Sequence, residues 1–513
     1  MRILSLDIDS LRPDHLGCYG YDRNTSPAID RLAADGRRFT NYYAADAPCL
    51  PSRTGLFTGR FGVHTGVVNH GGRNADVRAR GARREFDHHD EFRTWTAALQ
   101  ENGYRTALVS PFPERHAAFH VLDGFGEWRD TGGGGTETAD VVAPHAESWL
   151  DAHATEDDWY LHVNFWDPHT LYTTPLEYGT SFEGEPPVEW LTENIVTEHR
   201  EGTGPFCARD LYFYGEKAGG FPEAADERMP DEIGSREDAL QFVDGYDTGV
   251  RYVDDHIGDL LDALDQAGVR EETLVMLSAD HGENLGEQNI YGDHVTADEA
   301  TCRLPLIVTG PGVESGVDED FHYQIDFGPT VADLAGIDPD TRWDGESFAA
   351  SMTDGTSVGR EFLVIQNLAW TCQRSVRWDD WLLVRSYHDA YMDCEPVALF
   401  DLAADPHETT NLAADRSGVV AEGLAKLRSW EDDRLYEATR DTAGGNPDAP
   451  AGATDPLRTV LAEGGPFHPR GPEGVDRLGS YVERLRRTGR EAHAERLERT
   501  GGFVTGDAAD YLP

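Results

Sequence analysis

Apolar runs bounded by turn residues alternate with helical patterns along most of the chain. Ile3–Ile8 reads as a buried strand. Pro27–Gly36 reads as a helix with Ile29, Leu32 and Ala33 on one face. Pro51 falls near the first turn of the next helix, where its missing N–H costs nothing. Trp95–Asn102 predicts a helix ended by Gly103 and followed by the strand Arg105–Val109. Trp159–Phe165 and Thr273–Ser278 are further strands, Phe242–Ala267 a long amphipathic helix, and Gly132–Gly135 a flexible loop. This alternation predicts an α/β fold on a large, mostly parallel sheet flanked by helices. From about Ser375 the rhythm changes, with Ser375–Tyr387 and Val397–Asp401 patterned as short antiparallel strands. Gly444–Pro456 is rich in Gly, Pro, Ala and Asp and reads as a linker. Beyond it, Leu478, Val482 and Leu485 mark a surface helix packed on the main body.

Composition narrows the class of protein. The 513 residues carry 94 acidic and 44 basic side chains, a net charge of −50, and the only lysines are Lys217 and Lys426. The carboxylates spread along the whole chain, as on a solvated surface. Such a lysine-poor acidic surface suits a high-salt cytoplasm, where its self-repulsion is screened. It excludes nucleic acid as a partner, because phosphate binding needs a basic face. Met1-Arg2 leads straight into a strand without an apolar signal segment, and no stretch approaches the length of a membrane span. The expected setting is therefore cytoplasmic, with no membrane partner. Six cysteines are too sparse for a disulfide scaffold and read as free thiols, with Cys372 and Cys394 as a pairing left open.

The chemistry concentrates in a few blocks. Cys49-Leu50-Pro51-Ser52-Arg53 is followed by Thr54-Gly55-Leu56-Phe57-Thr58-Gly59-Arg60. Upstream stand Asp9-Ser10-Leu11-Arg12-Pro13-Asp14-His15, Ser26-Pro27-Ala28-Ile29-Asp30 and Gly36-Arg37-Arg38-Phe39. Downstream come Asp167-Pro168-His169, Ser278-Ala279-Asp280-His281-Gly282-Glu283, Arg303-Leu304-Pro305-Leu306-Ile307 and Leu399-Phe400-Asp401-Leu402. In kind and order these blocks resemble the type I, formylglycine-dependent sulfatases of the alkaline phosphatase superfamily. The resemblance implies that an activating enzyme, a transient partner, oxidises Cys49 to formylglycine. In that family the hydrated aldehyde attacks sulfur from a divalent metal and later expels sulfate, which neither a thiol nor a serine can do. It also implies a catalytic domain over residues 1–370, a small C-terminal antiparallel-sheet α+β domain over 371–445, and a linker and helical tail over 446–513.

By the same resemblance Cys49, Arg53, His169 and His294 carry the catalysis, and Asp9, Asp280 and His281 hold the metal. The metal expected is Ca²⁺, with Mg²⁺ or Mn²⁺ as alternatives. Asp9 and Asp280 each follow a buried apolar strand, at the edge where open α/β sheets place ligands. Asp7 lies two residues back and either supports the metal or binds it.

The chain also departs from the family. Ser10 stands where many sulfatases carry a second Asp, and His281 where Asn is common and His marks phosphonate and phosphodiester hydrolases. Two pocket lysines are missing, one replaced by Asp293 and one lost in Ser110-Pro111-Phe112-Pro113. Arg115, His116 and His64 are the candidates to bind substrate in their place, with His70 beside them. The expected substrate is a sulfate monoester of a sugar, aryl or alkyl alcohol. The alternatives are a formylglycine-dependent phosphodiester or phosphonate hydrolase and, without catalysis, a metal-binding pseudoenzyme.

Overall fold

The structure is a computed structural model. It describes residues 1–75, 94–179, 182, 188–209, 222–442, 455–463 and 477–513. Most of the expected linker lies outside the described residues.

In chain order the strands are β1 (Arg2–Ile8), β2 (Arg37–Tyr43), β3 (Asp46–Ala47), β4 (Arg105–Val109), β5 (Glu127–Arg129) and β6 (Trp159–Phe165). There follow β7 (Phe206–Cys207), β8 (Thr273–Ser278), β9 (Asn284–Leu285), β10 (Ile290–Asp293), β11 (Arg303–Thr309) and β12 (Gly316–Tyr323). The last four are β13 (Leu363–Asn367), β14 (Cys372–Trp378), β15 (Trp381–His388) and β16 (Val397–Asp401). The main sheet runs β12-β2-β11-β8-β1-β6-β4-β5. Within it only β11 opposes its neighbours. Central strands in such a sheet are covered on both faces, so they read as unbroken apolar runs. Ile3, Leu4, Leu6 and Ile8 of β1 and Val275, Met276 and Leu277 of β8 are all buried.

Helices cover the sheet because their apolar stripes match it. The Arg236–Ala267 helix begins at Ser235, whose hydroxyl accepts the Asp238 N–H, and buries Phe242, Tyr246, Val250, Val253 and Ile257. It starts before the predicted Phe242, since its first turn is polar and only the cap announces it. The Ala139–His153 helix packs beside it, with Trp149 against Trp159.

The smaller sheet runs β16-β15-β14-β13-β3 and is antiparallel apart from the β13–β3 pair. Its outermost strand, Asp46–Ala47, comes from the N-terminal part of the chain, two residues before Cys49. The Arg477–Arg487 helix lays Val482 and Leu485 against Phe206, Ile290 and Tyr391. In the Gly132–Gly135 loop the Gly133 and Gly135 N–H groups donate to Glu137. None of the six cysteines is in a disulfide, Cys372 and Cys394 included. Among the described residues no helix is long and apolar enough to cross a membrane.

Candidate active site

The strand order explains the site. β8, β1, β6 and β4 are consecutive neighbours, and each delivers a functional block just past its C-terminal end. These are Asp280 and His281, Asp9, Trp166 to His169, and Ser110 to Arg115. The Cys49–Thr58 helix closes over these ends. Ser52 ties it down: its Oγ lies 2.6 Å from the Asp280 carbonyl and 2.7 Å from Gln324 Oε1, two acceptors that share its one proton.

Cys49 Sγ lies 3.0 Å from His281 Nε2. Single ligand atoms of Asp9, Cys49, Asp280 and His281 all fall within 4.8 Å of one another. The same holds for Cys49, His169, His281 and His294. Arg53, one turn along the helix, donates to Asp7 at 2.8 Å, to Asp9 at 3.2 Å and to Asp280 at 2.6 Å. Arg115 donates to Asp9 at 2.7 Å. Its guanidinium lies over Trp166, 4.3 Å from the ring centre, and Trp166 stacks on His169 at 3.9 Å.

Asp7 is turned to Arg53, Asn164 and His162, behind the cluster. Ser10 has a left-handed backbone (φ 62°), and its hydroxyl lies 3.4 Å from Asp9 and 3.5 Å from His281.

Burial opposes the ionisation of Asp9, but Arg115 and Arg53 outweigh it and hold the carboxyl well below the usual range. Asp280 goes the other way. Burial, with the charges of Asp9 and Asp7, pushes it well up despite Arg53. The cluster thus has one carboxylate more than its arginines compensate. Burial and then the Asp9 charge push the Cys49 thiol far up, so it is not a thiolate. Burial keeps His169 and His281 neutral. Arg53 Nη2, Arg115 Nε and Trp166 Nε1 are buried donors without an acceptor. Buried donors of this kind are costly unless something arrives to use them.

The expected residues divide in two. Asp9, Cys49, Arg53, Arg115, His169, Asp280, His281 and His294 come together. His116 joins from the side: its ring lies 4.6 Å from that of His70, and both place a nitrogen within 4.8 Å of Cys49 Sγ. His64 is not in either group, since its nitrogens face Asp344 at 2.7 Å and the Arg434 carbonyl at 3.0 Å. Sequence reasoning missed Trp166 and Phe112, which hold Arg115 and Arg53 by their rings. Trp166 stands directly before Asp167-Pro168-His169, which was the available signal.

The sulfatase family model matches residues 3–337. The chain belongs to the sulfatase family. A second match, to the C-terminal part of N-sulphoglucosamine sulphohydrolase, covers residues 286–429. Among relatives, choline-sulfatase of Rhizobium meliloti is 25% identical over 80% of this chain and 81% of its own length. A structure solved with its substrate D-glucosamine-2-N,6-O-disulfate superimposes with a TM-score of 0.66 at 19% identity. That match covers 84% of this chain and 98% of the other. The phosphonate monoester hydrolase of Agrobacterium radiobacter gives 0.64 at 23% identity, over 85% and 96%. Sulfatases hydrolyse sulfuric esters with the help of formylglycine and a divalent metal.

Proposed function

We propose that this sulfatase hydrolyses a sulfate monoester of a sugar, aryl or alkyl alcohol through the formylglycine form of Cys49. In this reading Asp9, Asp280 and His281 hold a divalent cation. The observation that carries it is the convergence of Cys49 Sγ with these three side chains within 4.8 Å, over a cluster carrying one uncompensated carboxylate. The donor set fits a metal. With an imidazole among only two carboxylates, it suits Mn²⁺ better than Ca²⁺, which takes six to eight oxygens. Bound there, the cation would neutralise charge on the reacting oxygens, and the oxidised Cys49 would supply the nucleophile.

The chain's own side chains do the rest. Arg53 keeps Asp7, Asp9 and Asp280 apart and in register. Arg115, held between aromatic rings, supplies the cation that the missing lysines would have given. His169 and His294 face the same space. The negative charge of a bound ester favours their protonated rings against burial, and a ring so protonated supplies the proton for the leaving oxygen. The sugar ester in the neighbouring complex supports a saccharide. Cysteines outside any disulfide suit a reducing compartment, where a formylglycine-generating enzyme would meet the chain.

Mass spectrometry of the tryptic peptide bearing Cys49, from the native host, tests the modification. An aldehyde is expected, and an unmodified thiol in active protein would overturn the mechanism. A phosphodiester or phosphonate substrate is the second reading, motivated by His281. Matched sulfate, phosphodiester and phosphonate esters of one chromophore decide between them, with the sulfate expected to turn over fastest.

A further inference from the structure

Glu283 follows Asp280 and His281 on the turn leaving β8. It is completely buried, with the Ser10 hydroxyl and the Thr170 backbone N–H near its carboxylate, but neither oxygen has a hydrogen-bond partner within 3.5 Å. Its Oε2 lies 3.7 Å from Nδ1 of His294, which is also buried and unpartnered. Asp293 is nearly as close to that nitrogen, at 3.8 Å, but its Oδ1 already accepts the His294 backbone N–H at 2.9 Å. Two hydroxyls nearby, on Thr170 and Tyr172, are also buried without partners. A polar atom in that condition costs on the order of 1–3 kcal/mol. Glu283 and His294 remove each other's cost by closing the last ångström.

The His294 ring already has its plane set. It stacks on His281 at 4.1 Å with 28° between planes, and meets His169 edge-on at 4.9 Å. Stacking leaves open a 180° flip of the ring about Cβ–Cγ, which keeps the same plane, and a partner on Nδ1 is what selects one of the two orientations. With Nδ1 held, Nε2 is the nitrogen left for the ester. Glu283 is not in the group that converges on Cys49.

We infer that Glu283 is a positioning residue: it holds the Nδ1 edge of His294 so that Nε2 meets the leaving oxygen of the ester. The inference rests on the sulfate-ester reading above, in which His294 supplies that proton. Glu283 and His294 then hold two protons between them, one on the line from the carboxyl to Nδ1 and one on Nε2. As sulfur passes to the nucleophile supplied by oxidised Cys49 and its bond to the alcohol oxygen breaks, the electron pair stays on that oxygen and the Nε2 proton passes to it. The ring is left neutral, with its remaining proton on Nδ1 facing the Glu283 carboxylate. An ester with a strongly acidic leaving alcohol needs no such proton, so its rate is indifferent to where Nε2 points.

The test uses Glu283→Ala, Glu283→Gln and Glu283→Met on the full chain, with aryl sulfates of poor and good leaving groups. Metal content and thermal midpoint are measured for each variant. Glu283→Ala is expected to lower kcat by about 10- to 100-fold on the poor leaving group, the range seen when a histidine's supporting partner is lost. On the good one the change is expected to stay within about threefold, with KM unchanged on both. Glu283→Gln keeps a hydrogen-bonding group in the same volume and recovers most of the loss. Glu283→Met fills the volume without that group and does not. In a His294→Ala background, Glu283→Ala adds nothing further.

Equal losses on both esters, equal recovery by Gln and Met, or additive losses in the double variant would each overturn the inference. If Glu283→Ala does not fold, the Gln and Met pair carries the comparison alone. Wild-type protein that turns over neither ester would sink the sulfate reading itself, a result distinct from all of these.

Discussion

Two buried arginines show how this molecule separates holding itself together from doing chemistry. Arg53 and Arg374 are each 1% exposed. Arg374, on β14, is fully satisfied. Its Nε donates to Gln366 at 3.0 Å, Nη1 to Glu431 and Asp455 at 2.8 Å each, and Nη2 to Asp455 at 2.6 Å. It clamps two sheet strands, the Ser417–Thr442 helix and the start of the Pro456–Ala462 helix. Arg53 faces three carboxylates and still has Nη2 without an acceptor. A finished network specifies a fold, whereas an unfinished one is waiting for a group the chain does not supply.

The largest effect expected from this contrast is at the carboxylates around Arg53. Asp9→Ala and Asp280→Ala should each release the metal and leave less than about 0.1% of activity, since several kcal/mol of charge stabilisation goes with the cation. The fold should persist, because each change relieves crowded negative charge. Metal analysis, circular dichroism and turnover check this together. A variant that keeps activity without metal would show that the site lies elsewhere.

Next comes the direct exchange. Arg53→Met should cost activity by about 10²- to 10³-fold, the scale of losing one donor to developing charge. Arg374→Met should cost stability by about 3–5 kcal/mol, because it strands buried Asp455 and Glu431. The kcat of the protein that remains folded should be unchanged. Urea midpoints and active-site-normalised rates separate the two. If Arg374→Met loses turnover at full stability, the division fails.

The same division governs what the sequence could reveal. Asp9 and Asp280 were legible because an acid after a buried apolar strand needs a reason to be there. The β8-β1-β6-β4 adjacency was not, since pairing order is long-range information that local periodicity does not carry. The small sheet's antiparallel strands showed in the alternation after Ser375. β3 did not, because two residues have no pattern and their partner, β13, lies more than 300 positions away. His64, His70 and His116 looked alike on the page. Only packing shows His64 facing Asp344 and the other two at Cys49.

A smaller effect probes the missing lysines. Arg115→Ala and His116→Ala should lower kcat by roughly 10²-fold with poor leaving groups and by less with good ones, as proton or cation assistance matters least when the alcohol leaves easily. Arg115 sits on Asp9 while His116 sits on His70, so Arg115→Ala should also weaken metal retention and His116→Ala should not. Identical metal affinities in the two variants would put Arg115 outside the cluster.

The smallest effect lies outside the site, where the C-terminal tail docks on β15. His388 donates from Nε2 to the Gly501 carbonyl at 3.0 Å and accepts the Ala390 N–H on Nδ1 at 3.0 Å. Both bonds need the neutral ring, since a proton on Nδ1 would face the Ala390 N–H. Burial, partly offset by the Gly501 carbonyl, lowers the pKa from 6.5 to about 4. Between those values the unfolded chain binds the proton and the folded one does not, so stability must rise with pH there and fall on acidification. From pH 7.5 to pH 5 the loss is on the order of 2 kcal/mol. Asp389 next door, raised by burial to about 6, works in the opposite direction over an overlapping range. The wild type alone is therefore ambiguous, and the difference from His388→Gln cancels the neighbour. Denaturation at pH 7.5 and pH 5 in constant salt should show the variant losing less on acidification than the wild type. Equal losses would mean that His388 titrates the same way in both states, and that the tail is held by Arg496 on Asp389 and Met392 without it.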